Sequence, residues 1–282
     1  DSAGARASAS SAAPAPPPVA DQRLDGPTDA ADFSRRALAS AARHDFASAI
    51  ADLDHACDLA PGVAAYHYQR GFLHWQNKEP DRALADFDKA IDVNPDEVDS
   101  HVMRASIRLW RHDSAGAAED LASADRAAPK DSDARPSIAR VYQSLGNIPA
   151  AREQLSMWID THPRDARMPE MLNSRCWYGG LTGQGLEQAR ADCNAALKLQ
   201  PKAAAFLDSR GLVYVRLGNY DKAIKDYDAA LKINPKIVWS LYGRGLAELR
   251  MGRTAAGQAD LAAANALQPK IAERAAKFGL AP

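Results

Sequence analysis

Three features of this chain carry residue types that could do chemistry: a pair of cysteines, a scatter of histidines and a glycine-rich run. Cys176 and Cys193 stand 17 residues apart with Cys57 left over, and no Cys-x-x-Cys spacing is present to bind zinc or to run dithiol exchange. The seven histidines include no pair at i, i+4, the spacing that puts two imidazoles on one helix face for a metal. Gly179, Gly180, Gly183 and Gly185 invite comparison with a phosphate-binding loop. The segment lacks the lysine such a loop uses and follows no strand-like run, so it reads as a long turn. No nucleophile elbow or metalloprotease helix occurs. The reading is therefore of a protein that is not an enzyme, with no catalytic residue, no metal and no cofactor.

The elements that must position these residues are marked by prolines. Pro61, Pro95, Pro129 and Pro163 are each 34 residues apart, as are Pro201, Pro235 and Pro269; the one irregular step, from Pro163 to Pro201, is 38. Proline cannot continue a helix, because it lacks an N–H and clashes with the preceding turn. A period of 34 is that of a unit of two antiparallel helices. With the closing proline counted as position 32, the unit before Pro235 places Leu207, Gly211 and Tyr214 on its first helix. Gly218 and Tyr220 fall at the turn, and Ala223, Tyr227 and Ala230 on the second helix. Other units keep the frame, for example Gly71, Ala83, Phe87 and Ala90; the fourth departs with Trp158 where alanine is expected.

This pattern resembles the tetratricopeptide-repeat family over residues 31–282, with the seven units in residues 31–269. The resemblance implies an all-α fold, a right-handed α-solenoid of seven two-helix units. The helical spacing of residues 270–282 then reads as a C-terminal cap for the last apolar face, which such arrays need. Residues 1–30, rich in Ala, Ser and Pro, cannot bury enough apolar surface to offset ordering entropy and read as a disordered tether.

Comparing the units with one another exposes two pairings. Position 7 is arginine in six of seven units (Arg36, Arg70, Arg104, Arg175, Arg210, Arg244), and position 23 is aspartate in the same six (Asp52, Asp86, Asp120, Asp192, Asp226, Asp260). The fourth unit has Ile138 and Gln154 instead, and losing both together implies contact. Pairs such as Arg70 with Asp86 and Arg210 with Asp226 are thus expected as structural bridges between the two helices, each contributing about 0–1 kcal/mol if exposed. Allowing one extra residue in the turn of the fifth unit, Cys176 and Cys193 fall at positions 8 and 24 on facing helices. A disulfide there would stabilise by roughly 3 kcal/mol; two buried thiols acting as small apolar side chains are the alternative.

In this family ligands lie along the concave face built by the first helix of each unit. Positions 2, 5, 9 and 12 form one stripe on that helix. The stripe carries Tyr68, Phe72 and Trp75 in the second unit, Leu109 in the third and Arg140 in the fourth. The fifth supplies Asn173 and Trp177, the sixth Leu212, and the seventh Trp239 and Tyr242. The ends of this groove are aromatic and its middle polar, which is expected of a partner-binding groove. The alternative is that a neighbouring helix or the tether covers these side chains. A lysine–asparagine clamp for a peptide's terminal carboxylate is absent at positions 5 and 9, which hold Ser34 and Leu38, or Tyr68 and Phe72.

A formal charge of −1 over 282 residues provides no global field for nucleic acid or an anionic membrane. No run approaches the ~20 apolar residues of a membrane span. The expected function is a scaffold or adaptor that binds a protein or peptide partner. The alternative is a regulatory or substrate-presenting module of an enzyme, since the ending resembles C-terminal arrays of bacterial proteins, a few with an upstream aspartic-protease domain. Asp113 with Ser114, Ala115 and Gly116 does not supply that protease, because it lies in a helical frame without a second aspartate's context. A chain opening on Asp1 and a tether is expected to have lost an export signal or an upstream domain. That favours a periplasmic or otherwise extracytoplasmic location, with a trimmed cytoplasmic protein as the alternative.

Overall fold

The computed structural model describes residues 28–282, so all but the last three residues of the expected tether lie outside it. Among the described residues there are fifteen helices and no strand. Seven hairpins follow in order: α1 (Ala30–Ala42) with α2 (Phe46–Leu59), α3 (Ala64–Gln76) with α4 (Pro80–Val93), and α5 (Val98–Trp110) with α6 (Ser114–Ala127). Then come α7 (Arg135–Ser144) with α8 (Ile148–Thr161), α9 (Met168–Thr182) with α10 (Leu186–Leu199), and α11 (Ala204–Arg216) with α12 (Tyr220–Ile233). The last hairpin is α13 (Val238–Arg250) with α14 (Thr254–Leu267), and α15 (Ile271–Ala276) follows it. Each hairpin packs on the next, so the chain is an all-α helical-repeat solenoid. The first helix begins at Ala30, inside the segment assigned to the tether, because Asp29 caps it by accepting from the Asp32 N–H at 2.8 Å.

Within a hairpin the two helices approach where a small residue at position 8 meets a large one at position 24. Gly71 faces Phe87 so closely that a Cβ there would lie 2.9 Å from the ring, and Gly211 faces Tyr227 with a corresponding 2.7 Å. Phe87 and Tyr227 are accordingly buried. In the fifth unit the same two positions hold Cys176 and Cys193, which are joined as a disulfide with Cα atoms 5.5 Å apart. The covalent bond takes the place of the small-to-large fit, and both sulfurs are inside the core.

The irregular step of 38 has a local cause. Trp158 stands at a position that is alanine in the other units and is fully buried. His162 stacks on its indole at 4.7 Å between centroids and the Arg167 guanidinium covers it at 4.8 Å. Both come from the connection between α8 and α9, which has six residues against four in the regular units; the other two extra residues lengthen α9, which has 15 residues against 13, while the turn between α9 and α10 keeps the usual three. The glycine-rich run only partly forms that turn. Gly183 and Gly185 do turn, with φ of 71° and 60°, but Gly179 and Gly180 are the buried last turn of α9. A Cβ on Gly180 would meet Leu212 at 3.1 Å, so its absence lets α9 and α11 approach.

Every unit closes its first helix with a left-handed residue at position 15. Four are glycines; the first three units use His44, Lys78 and His112, with φ of 62°, 63° and 64°. A side chain costs roughly 1–2 kcal/mol in that conformation, partly offset by the extra chain entropy glycine loses on folding. Lys78→Gly is therefore expected to stabilise by about 0.5–1 kcal/mol, read as a higher urea midpoint; an unchanged or lower midpoint would contradict the strain assignment.

Candidate functional site

The surface that could meet a partner is held in shape by the position-7 arginines. In all six units the guanidinium forks onto the position-23 carboxylate: Arg70 donates to Asp86 at 2.6 and 3.0 Å, Arg175 to Asp192 at 2.7 and 2.8 Å, and Arg210 to Asp226 at the same two distances. Arg36 with Asp52, Arg104 with Asp120 and Arg244 with Asp260 repeat the arrangement. Sequence comparison missed the other half of each bridge. A further nitrogen reaches position 25 of the preceding unit: Arg70 to Asp54 at 2.8 Å, Arg104 to Asp88 at 2.7 Å, Arg210 to Asn194 at 3.0 Å and Arg244 to Asp228 at 2.7 Å. Arg175 uses Ser156 there, at 3.1 Å. The recurrence of Asp, Asn or Ser at position 25 was the available signal.

The fourth unit keeps the bridge with different residues. Arg135, at position 4 and almost fully buried, donates to Gln154 at 2.6 Å, to Asp125 at 2.6 Å and to the Pro129 carbonyl at 3.0 Å. In the second and third units His67 and His101 occupy position 4 and donate from Nε2 to the carbonyls of Pro61 and Pro95, at 3.0 and 2.9 Å. The hydrogen bond with Asp120, at 3.3 Å, holds the His101 imidazolium above the ordinary histidine range.

The groove predicted from spacing divides into two parts. Along the second to fourth units it is open. Tyr68 packs against Phe72 and Phe87 at 6.3 and 6.0 Å between centroids, and all of Tyr68, Phe72 and Trp75 are half-buried. Trp75 meets the ring of Trp110 edge-on at 6.0 Å. Both border a cavity of about 650 Å³ whose walls include Met103, Leu109, His112 and Arg140. Trp110 is 61% exposed. It was overlooked because it sits one residue past the stripe, at the end of α5. Arg140 is exposed and makes no ion pair among the described residues. Asn173, further along, keeps its buried Oδ1 without a partner.

Along the fifth to seventh units the groove is filled. Trp177 and Trp239 meet edge-on at 5.4 Å, and Trp239 meets Tyr242 at 6.3 Å. Leu212 and Tyr242 are each 3% exposed, so they do not line an open surface as expected. Among the described residues the cover is more than a neighbouring helix; the expected tether lies almost wholly outside them. Residues 277–282, read as part of a capping helix, leave α15 after Ala276 and lay Phe278 and Leu280 into the apolar cluster around Leu212 and Tyr242.

One further groove position behaves unlike its neighbours. Asp208, at position 5 of the sixth unit, is buried and accepts from Ser240 Oγ at 2.6 Å. Desolvation pushes its carboxyl up to about 7, against which the Ser240 hydrogen bond works.

Among the described residues no group of three or more His, Cys, Asp or Glu is placed to hold a metal, and no helix is long and apolar enough to cross a membrane. A periodic stack of helical hairpins with a concave face lined by the first helices defines the class of repeat solenoids. Family profiles agree with the frame: one for the tetratricopeptide repeat matches residues 64–97, and one for the TPR repeat matches residues 211–252. Over these two segments the chain carries tetratricopeptide repeats, and the same two-helix frame recurs in its other hairpins. Its fold is similar to that of a tetratricopeptide repeat protein from Parabacteroides merdae, with a TM-score of 0.58 at 15% identity over 89% of this chain and 98% of that one. It is similar also to YrrB, a TPR protein with an unusual peptide-binding site, at 0.57 and 19% over 68% and 97%. A third likeness is to a chain of the APC/C hetero-tetramer Cut9–Hcn1, at 0.55 and 18% over 83% of this chain and 47% of that one. No curated protein matches the sequence.

The Asp208 carboxyl makes stability depend on pH. The unfolded chain releases that proton near pH 4 and the folded one near 7, so its contribution is fully present below about 4 and is lost as pH rises to about 7. Asp208→Asn is expected to raise Tm over wild type at pH 8 and to leave it nearly unchanged at pH 4. An equal difference at both pH values would refute this.

Proposed function

We propose that this protein is a scaffold that holds a segment of a partner protein on the concave surface of its second to fourth units. The observation that carries the reading is Trp110, largely exposed and set edge-on to Trp75 at the mouth of an open cavity. A wide apolar side chain left in water is unfavourable, and tryptophans at the centre of a concave surface are frequent anchors of binding energy. Arg140 on the same wall is a cation without a carboxylate among the described residues, so an acidic side chain beside an apolar one fits the site. The likeness to YrrB, a TPR protein with an unusual peptide-binding site, supports peptide recognition by this fold.

Selection of a displayed peptide library on the whole chain, followed by affinity measurement, tests the reading. Enriched peptides should combine an aromatic or aliphatic residue with an acidic one. Trp75→Ala/Trp110→Ala, still helical by circular dichroism, should bind them about 30-fold more weakly, the loss of about 2 kcal/mol typical of a binding hot spot. Peptides that bind wild type and variant equally would place the site elsewhere.

We place the protein in the periplasm or another extracytoplasmic compartment, because a disulfide such as Cys176–Cys193 persists where the surroundings are oxidising. Mass spectrometry after thiol alkylation of the native protein should find Cys57 alone modified, on unfolding. Modification of all three cysteines would favour the cytoplasm.

A further inference from the structure

The filled half of the groove is covered by the chain's own residues 277–282. Residues 277–282 cross α9, α11 and α13 with two apolar anchors two positions apart. Phe278 packs in the clusters of Trp177 and Tyr178, and Leu280, 4% exposed, in that of Tyr242 and Leu246. The polar contacts go to the main chain of the segment. Tyr242 Oη donates to the Leu280 carbonyl at 3.0 Å, and Arg216 donates to the carbonyls of Phe278 and, at 3.5 Å, Gly279. Arg250 donates to the Ala281 carbonyl at 3.3 Å. Residues 277–280 turn as they leave α15, with Gly279 left-handed and the Leu280 N–H donating to the Ala275 carbonyl at 3.1 Å. Donors aimed at carbonyls do not read side chains, so another segment that makes this turn and carries the two anchors could take the same bonds.

Charge supplies a second observation. The six spine arginines each have a carboxylate, whereas Arg216 and Arg250 have none among the described residues. Arg216 is satisfied only by carbonyls, including those of Gly180 at 3.0 Å and Leu181 at 2.6 Å. Both guanidinium groups border a cavity of about 240 Å³ beside Gly279 and Ala281, walled also by Val215, Tyr220 and Leu246. The cavity leaves room for an acidic side chain, and none of residues 277–282 carries one.

We propose that the concave surface of the fifth to seventh units is a second peptide-binding site, occupied in cis by Lys277–Pro282 and taken in trans by an acidic partner segment. That segment carries an aromatic residue, an aliphatic residue two positions later, and a carboxylate that reaches Arg216 or Arg250. An occupant joined to the chain acts at an effective concentration on the order of millimolar, which a free copy of it does not overcome at micromolar concentration. A carboxylate adds to the guanidinium hydrogen bond a charge–charge attraction that a neutral carbonyl lacks, so the acidic segment displaces the main chain of residues 277–282.

The test uses the full chain and two labelled peptides with blocked ends, KFGLAP and KFGLDE, read by fluorescence anisotropy. Phe278→Ala/Leu280→Ala should bind KFGLDE at least tenfold tighter than wild type does, and tenfold tighter than it binds KFGLAP. Adding Arg216→Ala/Arg250→Ala should remove the preference between the peptides. Gly279→Ala offers a gentler release, since φ at Gly279 is +68° and the nearest atom to an added Cβ is 4.0 Å away. It keeps both anchors and should bind KFGLDE at least fivefold tighter than wild type, even if the double variant does not fold. If neither released chain, helical by circular dichroism, binds either peptide, residues 277–282 are a structural cap and the proposal is wrong. Equal affinity for the two peptides would refute the carboxylate requirement. None of these variants touches the second to fourth units, so the outcome is independent of the site around Trp110.

Discussion

A helical hairpin of 34 residues cannot bury its own apolar face, so everything in this molecule depends on how one hairpin is fixed against the next. The position-7 arginine settles that geometry. One edge of the guanidinium forks onto the aspartate of its own unit and another nitrogen reaches position 25 of the unit before. Because the fork is rigid and planar, the two partners fix the angle between helices as well as their distance. Partly buried pairs of this kind contribute little net stability after desolvation. Their effect is on register, and it repeats at nearly every joint of the solenoid.

The fourth and fifth units show how far the rule bends before another device takes over. Where arginine and aspartate are replaced by Ile138 and Gln154, Arg135 enters from position 4 and reaches Gln154 and Asp125, so the joint still has a guanidinium at its centre. Trp158 is too large for an alanine position, and the longer connection after α8 wraps His162 and Arg167 over its ring. In the next hairpin the disulfide replaces the small-to-large contact. Gly180 then brings α9 close to α11. The midpoint of the array is thus tied by covalent, aromatic and close-packed contacts together, and the groove changes character there. Before it the concave surface is open and carries the exposed ring of Trp110 beside half-buried aromatic side chains; beyond it the surface holds residues 277–282.

Much of the fold was legible because a repeat states its own rules several times. Seven proline-closed frames define the hairpins, and the shared loss of Arg and Asp in one unit is evidence of contact that a single unit could not provide. The open half of the groove was partly legible: Tyr68, Phe72, Trp75, Leu109 and Arg140 do share one surface, whereas Trp110 escaped because a periodic stripe stops one residue short of it. The closed half was not legible. Leu212 and Tyr242 have the same spacing as the open residues, and nothing in that spacing tells which segment lies on them.

What the sequence by itself determined is the local and nearest-neighbour structure: helices, turns, the frame, and the pairs that join positions 7 and 23. These depend on contacts within about one period, so residue type and spacing suffice. Only the tertiary structure decided where the chain returns on itself. Phe278 and Leu280 meet side chains up to a hundred residues away, and the guanidinium of Arg216 finds carbonyls 35 and 62 positions from it. Such contacts follow from the curvature accumulated over several units, which carries no local periodic signal. That curvature brings Arg216 against the main chain of residues 277–282, and leaves Trp110 facing water.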